Sequence, residues 1–219
     1  MIPTSVFLLS PASCAGTRAQ MLLRSQTSPL TARLETAGAP LGEVFTFMSS
    51  LYFRGKLAYA TAFGAPPSGW AAALVITPGR GLVPADRPIR TADLRAMAEV
   101  PIDANEPRYR EPLVRDAAAL SLAIGPAGRA VLLGSIATDK YVGPLVDVFG
   151  ERLLFPADFV GRGDMSRGGL MLRCVAAGEL LTHVPVAGAV RHGQRPPKLD
   201  PNTRPPAPPA ARTTHRRLD

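Results

Sequence analysis

Short apolar runs that end in glycine or proline constrain this 219-residue chain more than any other feature. They are Ser5 to Leu9, Trp70 to Thr77, Ala130 to Gly134 and Leu153 to Phe155. The run at 70–77 is apolar on both alternating faces, which suits a parallel sheet covered by helices on each side. Stretches with helical spacing separate the runs. Ser28-Pro29 reads as N-cap and first-turn proline of a helix through Glu35. Leu41 to Phe63 is strongly helical, with a break near Ser49-Ser50, and Gly64 stands as its cap. Further helices are expected at Thr91–Ala98, Glu111–Ala123, Asp139–Phe149 and from Met165 or Ser166 to Ala177, with 180–190 a final strand or an extended run. Strands alternating with helices predict a three-layer α/β fold, with a mainly parallel sheet of four to five strands and helices on both faces.

Charge divides the chain. Residues 191–219 carry seven Lys/Arg against two Asp, whereas residues 1–190 carry eighteen against fifteen. Seven of the last 29 residues are proline and almost none is large and apolar. Such a segment buries too little surface to repay its ordering entropy. The expected organisation is therefore one α/β domain over 1–190 and a disordered Pro/Arg-rich tail over 191–219. The tail reads as a solvated appendage or as a weak contact for nucleic acid. Arg outnumbers Lys 22 to 3, which suits bidentate phosphate recognition and equally suits a GC-rich coding sequence. Two cysteines make neither a disulfide framework nor a zinc site, and a reducing cytoplasm is the expected location. No metal and no cofactor is implied. The N-terminal apolar burst is too short for a secretory signal, and no stretch reaches the roughly 18 apolar residues of a membrane span.

Glycine and arginine gather just after the apolar runs, where open α/β sheets bind ligands. After the first run come Ser10, Ser13, Cys14, Gly16 and Arg18. Amides of 15–17 would form an anion nest, and Cys14 at a strand-to-helix turn is a candidate nucleophile. After the second come Thr77, Gly79 and Arg80, after the third Gly134 and Ser135. Gly161, Arg162, Gly163, Asp164 and Arg167 open a helix whose free amides and flanking guanidiniums make a ready anion site. Arg54 and Lys56 lie on the 41–63 helix, where Lys56 either approaches the sheet end as a charge partner or snorkels over the core. Asp86, close behind Gly81 to Pro84, is the first choice for a general base.

With those residues in view, the chain resembles an uncharacterised bacterial and phage domain family, related to the uracil-DNA-glycosylase-like fold and to a domain of archaeosine synthase. The resemblance rests on Ser13-Cys14, on the helix from Leu51 to Ala60, and on the strand and loop from Leu74 to Pro84. The run at 130–134 with Lys140-Tyr141, and the glycine-rich 161–169, match more loosely. Arg18 stands where the family carries Lys, and Arg80 where it carries His or Tyr. The resemblance implies a nucleobase- or nucleotide-directed enzyme of N-glycosidase or base-exchange type, in which a base is read in a pocket and the glycosidic bond breaks through an oxocarbenium-like state. The alternative is a non-catalytic module holding nucleotide or nucleic acid in the same cleft.

Overall fold

A computed structural model describes residues 4–24, 28–194, 196, 197 and 199. The disorder expected for the rest of the tail lies outside the described residues.

Six strands form the main sheet: β1 (Ser5–Leu9), β3 (Ala73–Thr77), β4 (Gly81–Pro84), β6 (Arg129–Leu133), β7 (Leu153–Pro156) and β8 (His183–Pro185), in the order β4-β3-β1-β6-β7-β8. The inner four are parallel, and β4 and β8 close the edges antiparallel. The sheet is thus one strand wider than expected. The extra strand is β4, which reads in sequence as loop because Gly81 and Pro84 bracket only two apolar residues. A separate antiparallel pair joins β2 (Ala39–Pro40) to β5 (Pro88–Ile89).

Two helix layers cover the faces. On one, α3 (Leu41–Phe63) packs along α7 (Asp164–Ala177) and over β1 and β3. On the other, α5 (Pro107–Ile124) packs beside α6 (Asp139–Phe149), α5 against β3 and β4 and α6 against β7. The inner strands are buried on both faces, as their unbroken apolar runs require. Around the first half of α3 lie α1 (Thr17–Arg24), α2 (Pro29–Glu35) and α4 (Thr91–Ala98). The Ser28 hydroxyl accepts from the Thr31 amide at 3.1 Å, so Ser28 caps α2 as its sequence predicts. Helix α1 carries no such start signal and reads as loop from sequence.

The break in α3 falls at Ser50, whose backbone (φ 52°, ψ −130°) is not helical. The second half, from Leu51, crosses α7 at glycine. A side chain on Gly55 would come within 2.6 Å of the Gly168 carbonyl, and one on Gly168 would meet the Leu51 carbonyl at 2.6 Å. The two backbones touch, and this contact fixes the start of α7 against Tyr52 and Lys56. Gly64 does end α3, though in extended rather than left-handed backbone. It is glycine because Ala72 presses against it.

Expected as the start of a free tail, residues 191–194 instead lie on the fold. Arg191 pairs with Asp139, and the Gln194 carbonyl packs onto Gly161.

Candidate functional site

Because β1, β3, β6 and β7 share a direction, the turns that follow them share one rim of the sheet. The chain leaves β1 toward β3 on one side and leaves β6 toward β7 on the other. The crevice where such connections diverge is the usual ligand position in open α/β sheets. Here it lies between the ends of β1 and β6.

Lys56 reaches that place from α3. Its ammonium is fully buried and donates to the Ser10 carbonyl at 2.7 Å and to the Ser10 hydroxyl at 3.0 Å. It lies over the rings of Tyr52 (4.3 Å) and Phe53 (4.8 Å). Among the described residues no carboxylate pairs with it. Burial brings its pKa down from 10.5 to about 7, the charge of Asp164 working against that fall and the charge of Arg167 with it. A cation held out of water without a counter-charge is costly, and such groups concentrate at functional sites.

Three hydroxyl-bearing side chains gather here, Ser10 and the Tyr52 ring touching the ammonium and Tyr141 lying beside Ser10. Ser10 is buried at the end of β1. Tyr141, on α6, donates to the Ser135 carbonyl at 2.9 Å and lies beside Ser10, with burial raising its pKa. The Tyr52 hydroxyl is buried, with the Arg167 guanidinium as its polar neighbour. Burial pushes its pKa up, with Arg167 and Asp164 next to it. Gly134 permits this assembly, since a side chain there would come within 2.8 Å of Ser10 Cβ and 3.0 Å of the Tyr141 hydroxyl.

Beside this cluster opens a cleft of about 360 Å³. The turn Ser13-Cys14-Ala15 and Pro78 form part of its lining, and the segment 97–102 another part, with Lys140 also on its wall. Met97, Val100 and Ile102 supply apolar surface, and Glu99 supplies a carboxylate.

The sequence candidates fall into distinct environments. Ser13 and Cys14 line the cleft, with Gly16 closing their turn through its amide to the Ser13 carbonyl (3.3 Å). The surroundings of Cys14 disfavour a nucleophile: burial pushes its thiol up to about 12, and its Sγ lies 3.7 Å from the Ala12 carbonyl. Asp86 is corrected in position. Strand β4 runs back antiparallel, Leu74 opposite Pro84, and carries Asp86 to the opposite rim, where it is exposed. Arg80 stands at the correct rim but is tied to Asp93, while Thr77 bonds across its turn to the Gly81 carbonyl at 2.9 Å. Arg18 donates to the Phe47 carbonyl at 3.2 Å, and Arg54 is exposed on α3.

Arg162 and Arg167 are held by consecutive carbonyls. Arg162 Nε donates to Asp158 at 3.0 Å, and Arg167 donates to Phe159 through Nε (3.1 Å) and an Nη (3.0 Å). Gly161 makes the turn before them, and Gly163 is the N-cap residue of α7. Ser135 folds its hydroxyl onto the Ala137 amide at 3.3 Å.

Sequence reasoning passed over Tyr52, Glu99 and Tyr141 as site residues. Tyr52 and Lys56 are one helical turn apart, a visible signal that reads as core. Glu99 lies in a stretch with no periodicity, and Tyr141 shares its face with the apolar residues of α6.

No helix among the described residues is long and apolar enough to cross a membrane. Comparison of this chain with protein-family models, curated proteins and solved structures finds no match.

Proposed function

We propose that this chain is a nucleobase- or nucleotide-directed enzyme of N-glycosidase or base-exchange type, working in the cleft beside Cys14. The observation that carries this reading is the lining of that cleft. Apolar surface from Met97, Val100, Ile102 and Pro78 faces a polar turn, with one carboxylate, Glu99, and one ammonium, Lys140, in the same hollow. Apolar lining suits the face of a base, and polar groups in the same hollow suit hydrogen bonding to that base. Breaking a glycosidic bond develops positive charge on the sugar, which a nearby carboxylate stabilises directly or by orienting water. Glu99 takes that role here in place of Asp86. The resemblance of 13–14, 51–60 and 74–84 to the glycosylase-like family points the same way.

The test is incubation of the full chain with nucleosides, tRNA and modified DNA, followed by chromatography for free base. Release is expected from at least one of them, and E99Q is expected to slow it about a hundredfold or more, the usual weight of a positioned acid or base. No release from any substrate overturns the enzyme reading.

A second reading, a non-catalytic nucleotide or nucleic-acid module, draws support from the exposure of Glu99 and from the high pKa of Cys14. It predicts binding that weakens steeply with salt and survives E99Q.

A further inference from the structure

A fully buried ammonium is expensive to keep, and methionine would fill similar space without a charge. Lys56 is such a group, and its contacts show what it holds. Both of its hydrogen bonds among the described residues go to Ser10, at the carbonyl (2.7 Å) and at the hydroxyl (3.0 Å). The Ser10 amide donates to the Leu133 carbonyl at 3.2 Å, so the chain is still joined to the sheet where the lysine grips it. Pro11 and the buried Ala12 then lead straight into the cleft wall made by Ser13, Cys14 and Ala15. Pro11 fixes its own φ, so little slack separates Ser10 from that wall.

The same serine meets a second wall. Its hydroxyl bonds to the Tyr141 hydroxyl, whose own proton goes to the Ser135 carbonyl at 2.9 Å. Donation therefore runs one way, from Lys56 to Ser10, from Ser10 to Tyr141 and from Tyr141 to Ser135. Tyr141 directly follows Lys140, which also lines the cleft. Gly134 leaves room for the crossing, because a side chain there would strike both Ser10 and Tyr141. Two parts of the cleft far apart in sequence are thus joined at one serine, and Lys56 grips that serine.

We propose that Lys56 is a positioning residue for the cleft, its ammonium fastening the Ser13-Cys14-Ala15 wall to the Lys140 wall through Ser10 and Tyr141. This role deepens the nucleobase reading by naming how that site is regulated, and it rests on that reading only for the ligand. A charged donor makes stronger hydrogen bonds than a neutral one. Loss of the lysine proton therefore loosens Ser10, and a ligand must then order a slacker wall. Burial brings that loss to about 7. The groups that face Lys56 are Tyr52 on its own helix, Asp164 and Arg167 on α7, and Tyr141 on α6 through Ser10. Burial pushes both phenols up, and carboxylates and guanidiniums hold their charge across about pH 6–8, so the lysine is the group that changes there. Two trends then oppose each other. Global stability rises as the folded protein gives up this proton, while the grip on the cleft falls. A lysine with a merely structural role would produce only the first.

The test follows the backbone amides of Ser13 to Gly16 and of Lys140 by NMR in the full chain, from about pH 5.5 to about pH 9, together with Lys56 Cε. Amides of both walls are expected to titrate with the midpoint of Lys56 itself and to stay flat in K56M. S10A keeps the carbonyl bond and cuts the link to Tyr141. In S10A the 13–16 amides should still follow Lys56 while the Lys140 amide no longer does, which reads the coupling even where K56M fails to fold. Binding is measured by calorimetry with adenosine, guanosine, cytidine and uridine. The affinity of whichever binds should fall about fivefold from acid to alkaline pH in the parent, and should stay level in K56M near the parent's alkaline value. By reciprocity, the bound nucleoside should move the Lys56 titration to higher pH. In base release, kcat/KM should fall across the same midpoint in the parent.

Amides of either wall that ignore the Lys56 midpoint, or a K56M variant that keeps the parent's pH profile, overturn the positioning role. Amides that follow Lys56 while no nucleoside binds and no base is released leave the role standing and remove the nucleobase reading. Base release whose kcat/KM has the same pH profile in the parent and in K56M does the opposite.

Discussion

The turn Thr77-Pro78-Gly79-Arg80-Gly81 and the loop Gly161 to Gly169 have similar composition and different construction. Both follow a parallel strand at the same rim, and both mix glycine with arginine. In the first, the chain's own geometry consumes every distinctive residue. Gly79 and Gly81 hold left-handed backbone (φ 75° and 68°), as the reversal into β4 demands. The Leu82 amide donates to the Asp116 carboxylate at 2.9 Å, and that carboxylate leaves no room for a side chain on Gly81. Arg80 pairs with Asp93. In the second, the arginines are braced by backbone carbonyls, Arg167 also pairs with Asp164, and the helix start at Gly163 carries no side-chain cap and has open space around it. Glycine after a strand therefore separates into two kinds: one required by a reversal, the other leaving space.

Substitutions can break or sharpen that contrast. The largest effect belongs to the crossing that both arginines of the second loop depend on. G168L forces α3 and α7 apart and should cost about 3 kcal/mol or more, read as a fall in the urea midpoint. An unchanged midpoint would mean the crossing is not tight. Next is G81A, which combines left-handed backbone with a clash against Asp116 and should cost about 2–3 kcal/mol. G163A, with open space around it, should cost under about 1 kcal/mol. Equal costs would erase the distinction between the two loops. Smaller still is R80A, which removes an exposed pair and should lower the urea midpoint by an amount worth under about 1 kcal/mol. A loss as large as that of G81A would mean that the Arg80–Asp93 pair, and not the left-handed backbone, holds this turn.

Lys56 gives the contrast a pH signature. The unfolded chain keeps the lysine proton up to its ordinary 10.5, whereas the folded protein releases it near 7. Between those values the unfolded state binds more protons, so stability should rise with pH across that window, and below it the full burial penalty applies. Urea midpoints of the parent should therefore climb from neutral to alkaline pH more steeply than those of K56M. Parallel curves would show that Lys56 is not held as described.

Much of the layered fold is legible in the residues themselves. The unbroken apolar runs of β1, β3 and β6 announce a covered parallel sheet, and the break in α3 is visible at Ser49-Ser50. Helix α1 and strand β4 are not. The one lacks a start signal, and the other has too few apolar positions to show a period. The site was partly visible for a related reason. Lys56 and the 161–169 loop stand out because charge and glycine are unusual next to core residues. Tyr52 and Tyr141 do not, because a tyrosine on an apolar face looks the same whether or not its hydroxyl is engaged. Glu99 depends on how 97–102 folds over the end of β1, which no local pattern encodes. Cys14 stands out in sequence because a strand-to-helix turn can favour thiolate, whereas here the sulfur is buried against the Ala12 carbonyl.

Ser50 has a consequence for how the molecule opens. A serine in a backbone region that glycine alone occupies without cost is held there by what grips the chain on each side. The segment ahead of it is clasped by the small helices, and the segment behind it by the sheet and α7. The long helix is therefore two struts meeting at a joint, each free to loosen without the other. Amide exchange should register a discontinuity there, faster on the Leu41 side, and a glycine at the joint should firm it by about 0.5–1 kcal/mol.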